Sequence, residues 1–204
     1  MMEWALLVAS YLLGSVPTGY LAGRFVRGID LREHGSGNLG ATNTFRVLGP
    51  RVAAPVMVLD VMKGFVPAAL FPAWSGEQLL GWALLFGAAA IAGHLWSVFM
   101  RFRGGKGVAT AAGVFLAITP GAVLIAFVVW IAVLKLWMMV SLASISAALT
   151  LALVLLLTEG RPAVLALGLS VAALVVIAHH ANIRRIIRGD EHRFGMRKLD
   201  KEEV

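Results

Sequence analysis

The sequence predicts an all-α integral membrane protein with seven transmembrane helices, one of them short, its N-terminus outside and its C-terminus cytoplasmic. Three observations carry that prediction. Of 204 residues 59% are hydrophobic and only 14% charged, with a mean hydropathy of +0.84, more apolar surface than a water-soluble fold hides. Several segments run about 18 residues or more with almost no charge, long enough for a helix to cross a hydrocarbon core of roughly 30 Å. The basic residues fall almost wholly in alternate connections, as the inward bias of positive charge requires.

The first run, WALLVASYLLGSVPTGYLAG, gives a span near 4–23. It is too long for a signal-peptide core, and Met1-Met2-Glu3 supplies an acid where such a leader has a basic region. Further runs give spans near 52–73, 79–100, 137–157 and 162–180, with turn chemistry at WSGEQ and TEGRP. The run over 108–134 is too long for one span. In its middle, ITPGA breaks a helix, because proline removes a donor and crowds the preceding turn. The split gives a short helix over 107–118 and a longer one over 120–134.

Charge supports the odd count. With the N-terminus outside, the segments 24–51 and 101–106, Lys135 and the tail from Arg184 share the cytoplasmic side. They hold every Lys and Arg except Lys63, within a span, and Arg161, outside. Six spans would put the basic tail opposite the basic first loop. No repeat, low-complexity tract or linker interrupts the chain, so residues 1–204 form a single membrane-embedded domain. A net charge of +7 would suggest nucleic acid in a soluble protein. Confined to a membrane edge it does not, and no nucleic-acid partner is expected. The absence of cysteine excludes disulfides and thiolate metal sites.

The first loop reads REHGSGNLGATNTFRVLG, residues 32–49. Gly35, Gly37 and Gly40 make a formal GxGxxG, but no strand precedes it, so it is no dinucleotide fingerprint. As an anion loop it has better parts. Glycines let successive N–H groups converge, Ser36, Asn38, Thr42 and Asn43 add neutral donors, and Arg46 offers a fixed fork to phosphate. A flexible loop with ordinary helix caps is the competing account.

The second loop, RFRGGKGVAT over 101–110, fails the Walker pattern, because Gly107 stands where Ser or Thr would hold magnesium. What remains is a glycine turn, Gly104, Gly105 and Gly107 around Lys106, feeding the N-terminus of the short helix and ending in Thr110. There unpaired N–H groups and the positive dipole end meet an anion. Anionic headgroups at a membrane edge account for Arg101, Arg103 and Lys106, but not for the glycines. GSGNLGAT and GKGVAT share one core, and two anion cradles on one face imply a substrate pair with two phosphates.

The tail, IAHHANIRRIIRGDEHRFGMRK, places His179 and Asn182 three apart on one helical face. A helix-end histidine can accept or donate a proton or bind phosphate near neutral pH. His180 and His192 read as ordinary interfacial residues, and Glu191 as a structural partner for Arg184, Arg185 or Arg188. Asp60 and Lys63, at i and i+3 inside the second span, can pair. Holding helices together is the plain use of such a pair, since nothing else polar in that run joins them. His94 fits either helix packing or site lining.

Taken together, SVPTGYLAGR (15–24), GSGNLGATNTFR (35–46), DVMKG (60–64), GHLWSVFMRFRGGKGVAT (93–110) and HHANIRRIIRGDE (179–191) resemble the bacterial membrane-integral glycerol-3-phosphate acyltransferases that use acyl phosphate. The resemblance implies a seven-helix enzyme of phospholipid biosynthesis in the cell inner membrane. It would acylate the sn-1 hydroxyl of glycerol-3-phosphate to lysophosphatidate at a cytoplasmic-facing site, releasing phosphate. It implies that Ser36 and Arg46 matter for activity, that Gly104, Gly105, Lys106 and Gly107 bind phosphate, that His179 and Asn182 are active-site residues, and that Glu191 is structural. An acyl phosphate is already activated, so direct transfer without an acyl-enzyme is expected. No Ser–His–Asp set or cysteine nucleophile is evident. The acyltransferase signature of Asp five positions after His is absent, which favours acyl phosphate over a thioester donor. The paired acidic motifs of a metal-dependent headgroup transferase are missing as well, so no metal or other cofactor and no obligate protein partner are expected beyond membrane lipid and the two substrates. A transporter of phosphorylated organic anions is the alternative, disfavoured because the anion motifs cluster at one face and not at the midplane.

Overall fold

The computed structural model describes residues 1–76 and 80–194. Residues 77–79, from the end of the WSGEQ connection to the first residue of the span drawn over 79–100, and the basic tail beyond Phe194 lie outside the described residues. The described residues form ten α-helices, two 3₁₀ turns and no strand. In chain order the helices are α1 Met2–Ser15, α2 Thr18–Arg27, α3 Ala41–Leu48, α4 Pro50–Trp74, α5 Leu80–Leu95, α6 Val108–Ile118, α7 Pro120–Trp137, α8 Val140–Thr158, α9 Pro162–Ala178 and α10 His180–Arg188. The 3₁₀ turns are Leu31–Glu33 and Val98–Met100.

Four helical segments, α4, α5 extended to Met100, α7 and α8, are each long and apolar enough to cross a membrane. Two bent pairs, α1 with α2 and α9 with α10, pass the same test together. The 11-residue α6 is a shorter apolar helix. The break at Thr119-Pro120 falls where the sequence placed it, with Pro120 opening α7.

One span drawn straight from the sequence is bent, and another ends at a bend. The first turns by 44° between α1 and α2. Pro17 supplies no N–H and forces the preceding residue out of helical geometry, and Val16 accordingly sits at φ −56°, ψ 117°. Where the last drawn span, 162–180, ends, the chain turns by 56° between α9 and α10. No proline or glycine stands at that hinge. His179 leaves the helical region, with its N–H shared between the carbonyls of Val175 and Val176.

Without a hydrophobic drive between helices inside lipid, close packing does much of the work of association, and small residues permit it. Side chains at Gly14 of α1 or Gly93 of α5 would strike the backbone of the other helix, at Ala90 and Tyr11. Gly64 of α4 and Gly113 of α6 meet Thr110 and Val61 in the same way. Around these contacts a core runs through Ala68, Leu84, Ile91, Val114, Phe115 and Leu155. Only Ala122 and Ala126 of α7 are buried, leaving Leu124, Phe127 and Val128 outward, as a hydrocarbon-facing helix should. A smaller cluster of Leu31, Leu39 and Met100 joins the first loop to the approach of the Gly–Lys loop.

Candidate anion site at the loop edge of the bundle

The Gly–Lys loop is hooked back onto the end of α5. Arg101 and Phe102 turn the chain with φ of 53° and 60°. The N–H of Gly104 then donates to Leu95 O and that of Gly105 to His94 O, both at 3.0 Å. A Cβ at Gly104 would collide with the His94 carbonyl, and one at Gly105 with the His94 ring. A side chain is thus excluded at both positions, and both N–H groups are engaged by the end of α5. Gly107, at φ 78°, is the residue before α6, and the first turn of α6 has N–H groups with no intrahelical acceptor. Lys106 thus stands beside a free helix N-terminus.

Lys106 is anchored to the tail. Its ammonium donates to Asn182 Oδ1, and Asn182 Nδ2 donates to Glu191 Oε1 at 2.7 Å. A carboxylate only accepts, so the Asn182 amide can face one way only. Glu191 also accepts from Ser141 Oγ at 2.8 Å and from Arg185 Nε at 2.7 Å. Burial works to raise the Glu191 pKa, but the hydrogen bonds from Asn182, Ser141 and Arg185 hold it below the usual carboxylate value. Burial pushes the Lys106 pKa down to about 8; Arg185 and Arg46 act the same way, and Glu191 opposes them.

His179 is 3% exposed. Its Nδ1 lies 2.7 Å from Val175 O; a carbonyl only accepts, so Nδ1 carries the proton and Nε2 is the face left for chemistry. Asn182 follows in α10, buried beside the α9–α10 bend.

The first loop is rigidly tied. Asp30 accepts from Arg32 N at 3.0 Å and pairs with Arg32 Nη2 at 2.6 Å. Asn43 is almost fully buried; its Oδ1 accepts from Ser36 N at 2.8 Å, and its Nδ2 donates to Leu31 O and His34 O. That exhausts its donors, so its part is to shape the loop. Asn38 Oδ1 accepts from Gly40 N at 2.9 Å, a local turn contact. Gly37 needs its φ of 70°. The Ser36 hydroxyl makes no hydrogen bond among the described residues and is exposed, as is Arg46 on α3; Thr42 lies on α3 in partial contact. The α3 helix is joined to the tail by stacking of Phe45 on Phe194, with centroids 4.7 Å apart.

Lys106, Asn182 and Glu191 therefore form one connected unit, with the Arg46 charge close enough to bear on Lys106. Thr110 is fully buried against Gly64 of α4, away from solvent. Asp60 and Lys63 pair at 2.8 Å; from other elements Thr18 donates to Asp60, and His94 packs beside the pair. Ser141 carried no signal in the sequence, since it is one of three serines in an apolar run and 50 positions from the carboxylate it serves. Among the described residues no group of His, Asp and Glu is arranged to hold a metal ion.

A helical, multi-pass membrane protein with a lysine and a helix N-terminus converging at its loop edge is a class suited to phosphate-bearing substrates. The chain belongs to the glycerol-3-phosphate acyltransferase family, whose description matches residues 4–189. It is 50% identical over 189 residues to the glycerol-3-phosphate acyltransferase of Desulforudis audaxviator, covering 93% of this chain and 94% of that one. To the enzyme of the same name from Aquifex aeolicus it is 42% identical over 191 residues, covering 93% and 97%. It is also similar to PlsY (YgiH), an integral membrane glycerol 3-phosphate acyltransferase solved in a glycerol 3-phosphate form, with a TM-score of 0.89 and 40% identity over 96% of each chain. The lysophosphatidic acid form of PlsY superposes with a TM-score of 0.86 at 39% identity.

Proposed function

We propose that this protein transfers a fatty acyl group from acyl phosphate to the sn-1 hydroxyl of glycerol-3-phosphate, giving lysophosphatidate and phosphate. What supports this above all is Lys106, a half-buried cation held at the open N-terminus of α6 by Asn182 and Glu191. One phosphate binds Lys106, the first-turn N–H groups of α6 and Arg46. The second binds the first loop through Ser36, Gly37 and Thr42, in a shape set by Asn38 and Asn43. Gly104, Gly105 and Gly107 hold the Gly–Lys loop, while Thr110 packs α6 against α4.

In the transfer, the glycerol hydroxyl oxygen bonds to the acyl carbonyl carbon and the bond from that carbon to the phosphate oxygen breaks. The hydroxyl proton passes to the departing phosphate or to Nε2 of His179. Asn182 and Ser36 position the reactants, and the fixed dipoles of the site stabilise negative charge as it develops. The reaction is direct, without an acyl-enzyme. The chain crosses the membrane seven times, with α6 the short span, its N-terminus outside and this site facing the cytoplasm.

Purified protein mixed with glycerol-3-phosphate and either acyl phosphate or an acyl thioester tests the reaction. Lysophosphatidate from acyl phosphate alone is expected; no product from either donor rejects the activity. An acyl group covalently trapped on the protein by donor alone rejects direct transfer.

A further inference from the structure

Beneath the Gly–Lys loop lies a second polar cluster, buried among α1, α2, α4 and α5. Its hub is Asp60, 1% exposed, which accepts from Thr18 Oγ1 at 2.6 Å and pairs with Lys63 at 2.8 Å. Lys63 also donates to Val16 O at 3.1 Å, at the α1–α2 break. His94 leans on this pair with Nδ1 3.8 Å from Asp60 Oδ1, beyond hydrogen-bond length. Its Nδ1 and the neighbouring Ser15 Oγ are buried without partners. On its far side the ring lies against Gly105, while its carbonyl accepts the Gly105 N–H.

Helix packing alone does not call for this chemistry. An ion pair inside a membrane protein is costly, and an unpaired imidazole nitrogen adds a further penalty; an aliphatic side chain would fill the place of either without it. What the polar residues supply is a fixed path. Thr18 begins α2, whose Gly19 packs against Leu39 and Thr44 of the first loop and α3. The path then runs through Asp60 and Lys63 to the His94 ring packed beside them, and from His94 to the backbone of Gly104 and Gly105. We propose that Thr18, Asp60, Lys63 and His94 form a positioning unit that sets the height of the Gly–Lys loop, and with it Lys106, against the first loop. This rests on the assignment of Lys106 to phosphate binding.

Thr18→Val removes one hydroxyl with little change of shape, Thr18→Ser restores it, and His94→Gln removes the ring. In Thr18→Val and His94→Gln the KM for one phosphate-bearing substrate should rise about 5- to 30-fold, the scale of one or two lost contacts, with Thr18→Ser close to wild type. In the Lys106→Ala background Thr18→Val should add no further loss, because its effect runs through Lys106. Amide exchange at Gly104 and Gly105 should be faster in Thr18→Val. Additive losses, or a lowered melting temperature with KM unchanged, overturn the proposal. If the wild-type protein makes no lysophosphatidate the activity is rejected, and exchange at Gly104 and Gly105 alone still decides the positioning claim, unchanged rates defeating it. Should Thr18→Val fail to fold, the same measurements on His94→Gln decide.

Discussion

At the scale of single residues, the proposed chemistry turns on how a lysine is kept both charged and available. Lys106 loses hydration by burial and regains support from Glu191 through Asn182, and its pKa rests at about 8. A lysine is charged below its pKa, so a depressed value means that the cation disappears as pH rises through about 8. The kcat/KM for glycerol-3-phosphate should therefore fall above pH 8, approaching tenfold per pH unit. Lys106→Arg should flatten that limb, because guanidinium stays charged; a pH profile of both proteins checks it. Glu191→Gln removes the carboxylate that Asn182, Ser141 and Arg185 share. It should lower kcat/KM by roughly 10- to 100-fold, the worth of hydrogen bonds to a charged group, measured beside the melting temperature. Glycine and lysine in the sequence read as an anion site. Which N–H groups were free did not show, because Gly104 and Gly105 bond to carbonyls whose position depends on where α5 ends.

At the scale of elements, glycine contacts decide which helices can approach. Gly64 and Gly113 let α4 and α6 meet backbone to backbone, and α6 carries Lys106 at its entrance. Gly64→Val should separate these helices and lower thermal stability by about 1–3 kcal/mol, with a parallel loss of activity, measured by unfolding in detergent. The spans were legible because apolarity persists over their length, and Pro120 marked the end of α6. The bends were harder. Pro17 was visible in the first run, yet continuous hydropathy carried the drawn span through it, since hydropathy records depth and not direction. His179 offered no breaker at all, since neither proline nor glycine stands beside it.

At the scale of the whole molecule, sidedness sets which substrates the site can meet. The chain has no cysteine, so single cysteines report cleanly. A cysteine replacing Arg103, exposed in the Gly–Lys loop, should react with an impermeant thiol reagent only from the cytoplasmic side. One replacing Gly160, in the α8–α9 connection with open space around it, should react only from outside. Labelling in sealed cells against inverted vesicles checks both, and labelling of both from one side would contradict the seven-span arrangement.

By itself, the sequence determined a helical membrane protein, its apolar runs, the loops that bear its charge and the motifs that mark its family, because each of these is written in contiguous residues. Only the tertiary structure decided that Asn182 and Glu191 hold Lys106, that Ser141 supports them, that Thr18 bonds to Asp60 and that His94 packs beside the Asp60–Lys63 pair. Those contacts unite residues tens of positions apart, and local propensity carries no information about which distant helices a bent, glycine-packed bundle brings together.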